Sequence, residues 1–226
     1  MDKVKEHFEE AAEIFDQHVV KAVPFYRDMI DALVCAIPFG NDRQIRVVDL
    51  GCGTGTITRD IKQRYPKAAV TCVDFAENMI KIAKDKLKAL DDISYEVCDC
   101  MDFDYSAGYD AVVSSLTLHH IRESDVKKKL FKKVFGGLNS RGVFCLADLV
   151  LASNDYLQKL NMKKWADFQS NQCNHAEIQE REKRYNTEDH PFRLMDEIQW
   201  LKEAGFREVD VIWKYYHFAV YGGQKG

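Results

Sequence analysis

Residues 47–55 of the chain read VVDLGCGTG, and this stretch decides the fold. Apolar residues lead into Asp49, and glycines then occupy every second position. The pattern predicts that a buried strand, residues 45–50, ends in a tight turn, because glycine adopts positive φ and lets a ligand approach the backbone closely. A predicted helix, residues 56–64, follows at once, and its first N–H groups have no partner within the helix. The turn is therefore a candidate ligand-binding loop.

Strands and helices alternate on both sides of this turn. Parallel neighbours need a crossover connection, so the alternation predicts a doubly wound, Rossmann-like α/β fold with a mainly parallel, seven-stranded sheet. The link between the last two strands is too short for a crossover, which predicts an antiparallel last strand. The predicted elements are helices 2–16 and 20–37, strand 45–50, helix 56–64, strand 69–73, helix 76–90, strands 93–97 and 109–115, helix 125–135, strand 143–149, a helical insertion 154–184, helix 194–204 and strands 208–214 and 216–221.

The length of 226 residues suits a single domain with a sizeable core. Its expected parts are an N-terminal helical cap, a ligand-binding core, a helical insertion or lid after the fifth strand, and a C-terminal helix and hairpin. They span residues 1–38, 45–150, 151–190 and 191–226.

Composition and charge narrow the function classes. The formal net charge of −4 provides no broad basic surface, so nucleic acid is not expected as the main partner. The N-terminus, MDKVKEHFEEAAEIF, lacks the apolar core of a signal peptide, and no apolar run approaches the ~20 residues of a membrane span. We therefore expect a cytoplasmic protein with no membrane partner. The seven cysteines form no CxxC pair, and the CxC of Cys98 and Cys100 is better explained by buried or loop thiols, so no metal site is predicted.

The glycine spacing distinguishes between a dinucleotide and a ligand without phosphate. In the dinucleotide fingerprint G-x-G-x-x-G the third glycine follows the second by three positions, whereas here it follows by two. The acid before the turn, Asp49, would also repel a pyrophosphate and attract an ammonium group. The turn is thus expected to hold a ligand that has no phosphate group.

An acidic residue stands at the end of each of three successive predicted strands. Asp74 follows Asp49 by one strand and can accept hydrogen bonds from both ribose hydroxyls of an adenosine, while Asp99 can accept one from an exocyclic amine. Each acid alone is explained as well by a loop or cap. Together they suit an adenosine that carries a positive sulfur and an amino-acid tail.

At these motifs the chain resembles the class I S-adenosylmethionine-dependent methyltransferases. The resemblance covers residues 45–150 and rests on DLGCGTG, VDFAENM, CDCMDF and YDAVVSSLTLHHI. It implies S-adenosyl-L-methionine as cofactor, with glycines of the turn at the methionine portion, Asp74 on the ribose and Asp99 with Cys100 at the adenine. Met79 fits the adenine side or the helix core. The implied cofactor-binding residues are Tyr26, Asp49, Gly51, Cys52, Gly53, Asp74, Phe75, Met79, Asp99, Cys100 and Ser115.

A narrower resemblance links the chain to the carboxy-S-adenosylmethionine synthases and their methyltransferase-like relatives. It rests on FDQHVVKAVPFY, EIQEREKR and WLKEAGF. In that family, an arginine matching Arg184 holds the added carboxylate and a tyrosine matching Tyr26 lines the cofactor. Those synthases typically read DLGCSLG where this chain has DLGCGTG, and have asparagine at the position of Ser115. The overall layout is therefore expected to be shared, and the carboxylated cofactor is an alternative.

Candidate catalytic residues follow the fourth predicted strand and flank the core. His119 or His120 could be a general base near neutral pH, or both could be loop or packing residues. Tyr26 would lie near the sulfonium unless it belongs to a helix stripe, and Arg184 would grip a carboxylate unless it is a solvated charge. Methyl transfer needs no protein base when the acceptor is already nucleophilic.

The leading hypothesis is an S-adenosylmethionine-dependent methyltransferase that transfers the methyl in line to an O, N, S or C nucleophile of a small molecule. One alternative is a carboxy-S-adenosylmethionine synthase or a user of that cofactor. Another is a non-catalytic S-adenosylmethionine-binding protein. The expected partner is a small-molecule methyl acceptor, and the sequence is compatible with a homodimer.

Overall fold

The computed structural model describes residues 15–226. The predicted helix 2–16 lies almost wholly outside them. The helices are α1 Phe15–Ala22, α2 Tyr26–Cys35, α3 Thr56–Arg64, α4 Glu77–Leu87, α5 Ser124–Gly137, α6 Asp155–Ser170, α7 His175–Glu188 and α8 Leu194–Ala204, with a 3-10 turn at Leu118–His120. The strands are β1 Arg46–Leu50, β2 Ala69–Asp74, β3 Ile93–Val97, β4 Tyr109–Ser115, β5 Leu138–Leu149, β6 Arg207–Tyr215 and β7 Phe218–Gln224.

One seven-stranded sheet has the order β3-β2-β1-β4-β5-β7-β6. The strands from β1 to β5 pair in parallel, and β7 is antiparallel to both of its neighbours. This topology confirms the predicted doubly wound sheet with an antiparallel last strand. The strand order reverses between β1 and β4, and ligands of such sheets bind beyond the carboxyl ends of the strands at that point.

Helices cover both faces of the sheet because its central strands are apolar on both sides. On one face, Met29 and Leu33 of α2 pack in a cluster with Val47 and Val113. The opposite face has a second cluster that includes residues of α5 and α8. The two layers hold β1 and β4 rigidly, which fixes the positions of the loops at their ends.

The predicted helix 20–37 is wrong as a single element. The structure has two helices, because Pro24 cannot continue a helix that begins before it, and Phe25 adopts a positive φ of 55° between α1 and α2. The break separates α1 from α2, and Val19 of α1 still packs in the same cluster as Val47 of the sheet. The break also starts α2 at Tyr26, so this tyrosine lies at the end of the helix that faces the ligand-binding edge.

A strand boundary also differs from the sequence prediction. Strand β5 begins at Leu138 rather than at residue 143, because Tyr109 pairs with Leu138 before a register shift in the ladder. The predicted helical insertion consists of two helices, α6 and α7, and Asn174 and Glu177 build a reciprocal capping box that starts α7. Within residues 15–226, no helix combines the length and the apolar character needed to cross a membrane.

Candidate active site

The glycine turn after β1 folds back onto the end of β2. The N–H groups of Gly51 and Cys52 donate to the carbonyl of Val73 at 2.8 and 3.0 Å. Gly51 has φ +68°, and a Cβ there would lie 2.2 Å from the side chain of Thr117, which follows β4. A Cβ on Gly53 would meet no atom of residues 15–226 within 4 Å. Glycine at position 51 thus permits close packing of two strand ends, and Gly53 leaves its backbone open to a ligand.

Asp74 holds the neighbouring backbone with both carboxylate oxygens. Its Oδ2 accepts from the N–H of Gly53 at 2.8 Å, and its Oδ1 accepts from that of Ala76 at 2.9 Å. Asp99 at the next strand end accepts from the N–H of Met101 at 2.8 Å. These bonds fix each carboxylate at the edge of the sheet, as expected for acids that receive hydroxyl or amine donors of a ligand.

Asp49 is completely buried beneath the turn. Its Oδ2 accepts a hydrogen bond from Thr58 Oγ1 at 2.7 Å, and its Oδ1 has no hydrogen-bond partner among residues 15–226. Burial raises the pKa of Asp49 to about 7, and the Thr58 hydroxyl opposes that rise. A buried carboxylate oxygen without a donor is suited to an ammonium group delivered by a ligand.

A cavity of about 900 Å³, here the first pocket, lies above these strand ends. Ten of the predicted cofactor-binding residues line it: Tyr26, Gly51, Cys52, Gly53, Asp74, Phe75, Met79, Asp99, Cys100 and Ser115. Asp49 lies below the turn rather than in the wall. The structure therefore brings ten of the eleven predicted residues together around one cavity.

A second cavity of about 890 Å³, here the second pocket, adjoins the first. The two pockets share Phe15, Leu116 and His120 in their walls. Residues of α1, α6 and α7 line the second pocket, and Trp165 Nε1 of α6 donates to the carbonyl of Ala22 at 2.7 Å. The insertion thus covers the edge of the sheet beside the first pocket.

His119 is buried between two carboxylates. Its Nδ1 lies 2.5 Å from Asp148 Oδ1, and its Nε2 lies 3.5 Å from Asp189 Oδ1. Burial alone lowers the pKa of His119, but the two carboxylates outweigh burial and raise this pKa to about 10. His119 lines the second pocket. Because its pKa is raised, the ring is an imidazolium at neutral pH unless another cation replaces the proton.

His120 has the opposite electrostatic environment. Its Nδ1 lies 3.3 Å from Asp189 Oδ1 and 3.2 Å from the carbonyl oxygen of Glu188. Burial and the positive charge of His119 lower its pKa, while Asp189 opposes the change. Of the two predicted bases, His120 is the one that is neutral at physiological pH and borders both pockets. Its role as a base stays a prediction.

Tyr26 and Arg184 line different pockets of the site. Tyr26 is buried in the wall of the first pocket, and burial raises the pKa of its hydroxyl well above the ordinary value. Arg184 lines the second pocket together with Arg181, whose Nη1 donates to Gln169 Oε1 at 2.6 Å. Two guanidinium groups thus border the second pocket, whereas the sulfonium position predicted for Tyr26 belongs to the first.

Several site residues were missed by the sequence analysis. Asp148 and Asp189 come from β5 and from the end of α7, and only the folded chain brings them to His119. Phe15 and Leu116 line both pockets. Leu116 had one local signal, since it directly follows an apolar strand at the ligand-binding edge, and its positive φ of 51° marks the sharp turn there.

Comparison with known proteins defines the class. Residues 47–142 match a family model described as a methyltransferase domain. Human N-acetylserotonin methyltransferase, solved with S-adenosylmethionine, superposes with a TM-score of 0.60 at 15% identity over 87% of this chain, which spans about half (51%) of that protein. An O-methyltransferase family 2 protein from Planctomyces limnophilus gives 0.69 at 18% identity over 96% of this chain and 62% of its own. The fold is that of the class I S-adenosylmethionine-dependent methyltransferases.

Comparison with curated relatives identifies the family within this class. The carboxy-S-adenosyl-L-methionine synthase of Campylobacter fetus subsp. fetus is 30% identical over 226 residues, 96% of this chain and 94% of that protein. The corresponding synthase of Nautilia profundicola is 28% identical over 98% of this chain and 94% of its own. The chain belongs to the family that contains these carboxy-S-adenosyl-L-methionine synthases.

The first pocket fits the cofactor of this class, S-adenosyl-L-methionine. The buried Asp49 Oδ1 has no donor within the described chain, and the backbone at Gly53 is open. We expect Asp49 to receive the methionine ammonium, Asp74 the ribose, and Asp99 with Cys100 the adenine. When bound, the cofactor supplies a methyl group activated by a positively charged sulfur.

Proposed function

We propose that the protein transfers the methyl group of S-adenosyl-L-methionine to an O, N, S or C nucleophile of a small molecule that binds in the second pocket. The observation that carries the proposal is that two adjoining pockets share Phe15, Leu116 and His120 in their walls. One pocket has the acids expected for the cofactor. The other offers an acceptor site beside it.

The second pocket supports a small acceptor rather than a polymer. Val19, Trp165 and Phe218 provide buried apolar walls, and α6 and α7 cover them. Arg181 and Arg184 add positive charge at one side. This combination suits a small acceptor with an apolar body and an anionic group.

The residues of the chain contribute to the transfer mainly by alignment and exclusion of water. Burial of both reactants between α1 and the insertion removes solvent from the nucleophile. His120, whose pKa is lowered, can accept a proton at a ring nitrogen from an acceptor hydroxyl, amine or thiol as the new bond forms. The charged His119 would stabilise negative charge on the acceptor.

A pocket-filling substitution tests the proposal. Val19→Trp fills the second pocket, and we expect it to abolish methyl transfer from labelled cofactor to a panel of phenols, amines, thiols and carboxylates while S-adenosylhomocysteine still binds in titration calorimetry. Val20→Trp is the matched control, because Val20 is the next residue of α1 and its side chain is exposed. Equal turnover by the parent and Val19→Trp, or no turnover with any acceptor, would contradict the proposal.

A second candidate function is synthesis or use of carboxy-S-adenosyl-L-methionine. It is favoured by the curated relatives and by Arg184 in the wall of the second pocket. Native mass spectrometry separates the two functions. Ligand with the mass of the carboxylated cofactor, after supply of prephenate, supports the second function. Ligand with only the mass of S-adenosylmethionine or its demethylated product excludes it.

Two further properties are part of the proposal. A cytoplasmic location is supported by the cysteines, which all lie within the described residues and carry free thiols. Cell fractionation with an antibody would test this location.

The second property is a homodimer, which light scattering on the purified chain would test. A third function is cofactor binding without catalysis. Release of the methyl group to any acceptor of the panel would exclude it.

A further inference from the structure

Three metal-ligating side chains meet in the wall of the second pocket. They are His119, His120 and Asp189, and one ligand atom from each lies within 4.8 Å of the other two. Asp189 Oδ1 is 3.5 Å from His119 Nε2 and 3.3 Å from His120 Nδ1. Two imidazoles and one carboxylate at this separation can converge on one ion placed between them.

Backbone contacts fix the position of this cluster. The two histidines lie on the 3-10 turn after β4, and Asp189 directly follows α7. The N–H of His190 donates to the carbonyl of His119 at 2.7 Å, which joins the two segments next to the ligand atoms. The three side chains are thus held by main-chain structure, and an ion would not have to order them from a flexible state.

Asp148 supplies the support that metal-ligating histidines usually have. Its Oδ1 lies 2.5 Å from His119 Nδ1 and also accepts from the N–H of Leu149 at 2.9 Å. A carboxylate on one ring nitrogen fixes the tautomer and the ring orientation and directs the other nitrogen to the ion. In His119 that other nitrogen is the Nε2 that faces Asp189.

We propose that His119, His120 and Asp189 bind a divalent transition-metal ion, with Asp148 as the positioning residue of His119. Two histidines and one carboxylate leave coordination positions for further ligands, and these positions face the second pocket. A hydroxyl, thiol or amine of the acceptor could occupy one of them. With the ion bound, His119 and His120 would be ligands, and the ion in place of His120 would lower the pKa of that group, whose proton would leave to solvent. The freed lone pair would form a bond to the methyl carbon while the methyl–sulfur bond breaks, and S-adenosylhomocysteine would leave with that electron pair. This role rests on the proposed function, whereas the site itself does not.

Metal titration of the full chain tests the site. After dialysis against a chelator, the protein is titrated with Zn²⁺ by calorimetry and with Co²⁺ by visible absorption. We expect one ion per chain and Co²⁺ bands of a site with nitrogen ligands. Asp189→Asn should weaken binding at least about tenfold, and Asp148→Asn should weaken it by about 10- to 100-fold without removing a ligand.

A matched control separates the site from surface binding. His190→Gln changes the residue next to Asp189, and its side chain is outside the cluster. This variant should bind Zn²⁺ like the parent, and circular dichroism verifies that each variant is folded. Equal affinity of the parent and Asp189→Asn, or less than half an ion per chain in the parent, would overturn the proposal. Because neither cofactor nor acceptor is present, a failure of the proposed methyl transfer does not affect this result.

Discussion

Asp16 of α1 accepts a hydrogen bond from Thr54 Oγ1 in the glycine turn at 2.6 Å. The same carboxylate pairs with Lys86 of α4, whose ammonium also donates to Thr54 at 2.7 Å. Phe15, the neighbour of Asp16, lines both pockets. The first described helix is therefore attached to the loop that is expected to hold the cofactor, and it closes one side of the site.

Removal of this attachment should weaken cofactor binding without unfolding the protein. In Asp16→Ala the turn loses its contact with α1, and we expect the dissociation constant for S-adenosylhomocysteine to rise by about fivefold, or ~1 kcal/mol for a half-exposed ion pair. Titration calorimetry measures the change. Gln17→Ala, on the exposed side of the same helix, should behave like the parent. An equal rise in both variants would mean that α1 acts only through its packing.

Asp74→Ala should abolish measurable binding of S-adenosylhomocysteine. The carboxylate lines the first pocket and fixes the N–H of Gly53, so its loss removes both the expected ribose acceptor and the order of the turn. Circular dichroism would verify the fold, and Asp85→Ala, an exposed acid of α4, serves as control. Parent-like affinity in Asp74→Ala would refute the cofactor assignment.

Cofactor affinity should depend on pH through Asp49. Burial raises the pKa of Asp49 to about 7, so the carboxyl is increasingly neutral below that pH and attracts the methionine ammonium less. The affinity for S-adenosylhomocysteine should therefore fall from pH 8 to pH 6, and Asp49→Asn should be weak and much less dependent on pH. Calorimetry at several pH values measures both. A pH-independent parent would contradict the prediction.

The same shift acts on the stability of the ligand-free protein with the opposite sign. The pKa of Asp49 is higher in the folded state than the ordinary 3.8, so the folded state binds this proton more tightly than the unfolded state. Its contribution to the free energy of unfolding is fully present below pH 3.8 and declines as the pH rises to about 7. Over that pH range, the free energy of unfolding of the parent should therefore fall relative to that of Asp49→Asn.

The ligand-binding edge could be predicted from the sequence because its signals are local. The glycine spacing, the apolar run before Asp49 and the acids after successive strands each lie within a few residues, and the strand order brings their ends together. The break at Pro24 was also a local signal, and the helix prediction 20–37 gave too much weight to apolar spacing across it. Proline should have ended that helix.

The polar cluster around His119 could not be predicted in this way. Its partners Asp148 and Asp189 are contributed by β5 and by the residue after α7, and no spacing in the chain relates them. Burial and pairing, which set the pKa of His119, exist only in the folded protein. The sequence therefore indicated only that one of the two histidines could be a base, and the structure distinguishes them by charge.

A buried ion pair behind the site gives a last prediction, on stability. Lys127 of α5 and Glu197 of α8 are both completely buried, with 2.7 Å between Nζ and Oε1, and the Tyr221 hydroxyl donates to the same carboxylate. Lys127→Met leaves a buried charge on Glu197 without its counterion, which should lower the free energy of unfolding by about 3–5 kcal/mol. Urea denaturation followed by tryptophan fluorescence measures the loss.

The double variant decides whether the pair or the packing matters. Combining Lys127→Met with Glu197→Leu removes both charges and should recover most of the lost stability, because apolar groups of similar volume often replace a buried pair at little cost. Lys128→Met, the adjacent and partly exposed lysine, should change stability by less than about 1 kcal/mol. If the double variant were no more stable than Lys127→Met, the lysine stem and its packing against Phe192, rather than the charge pair, would be what stabilises the contact between α5 and α8.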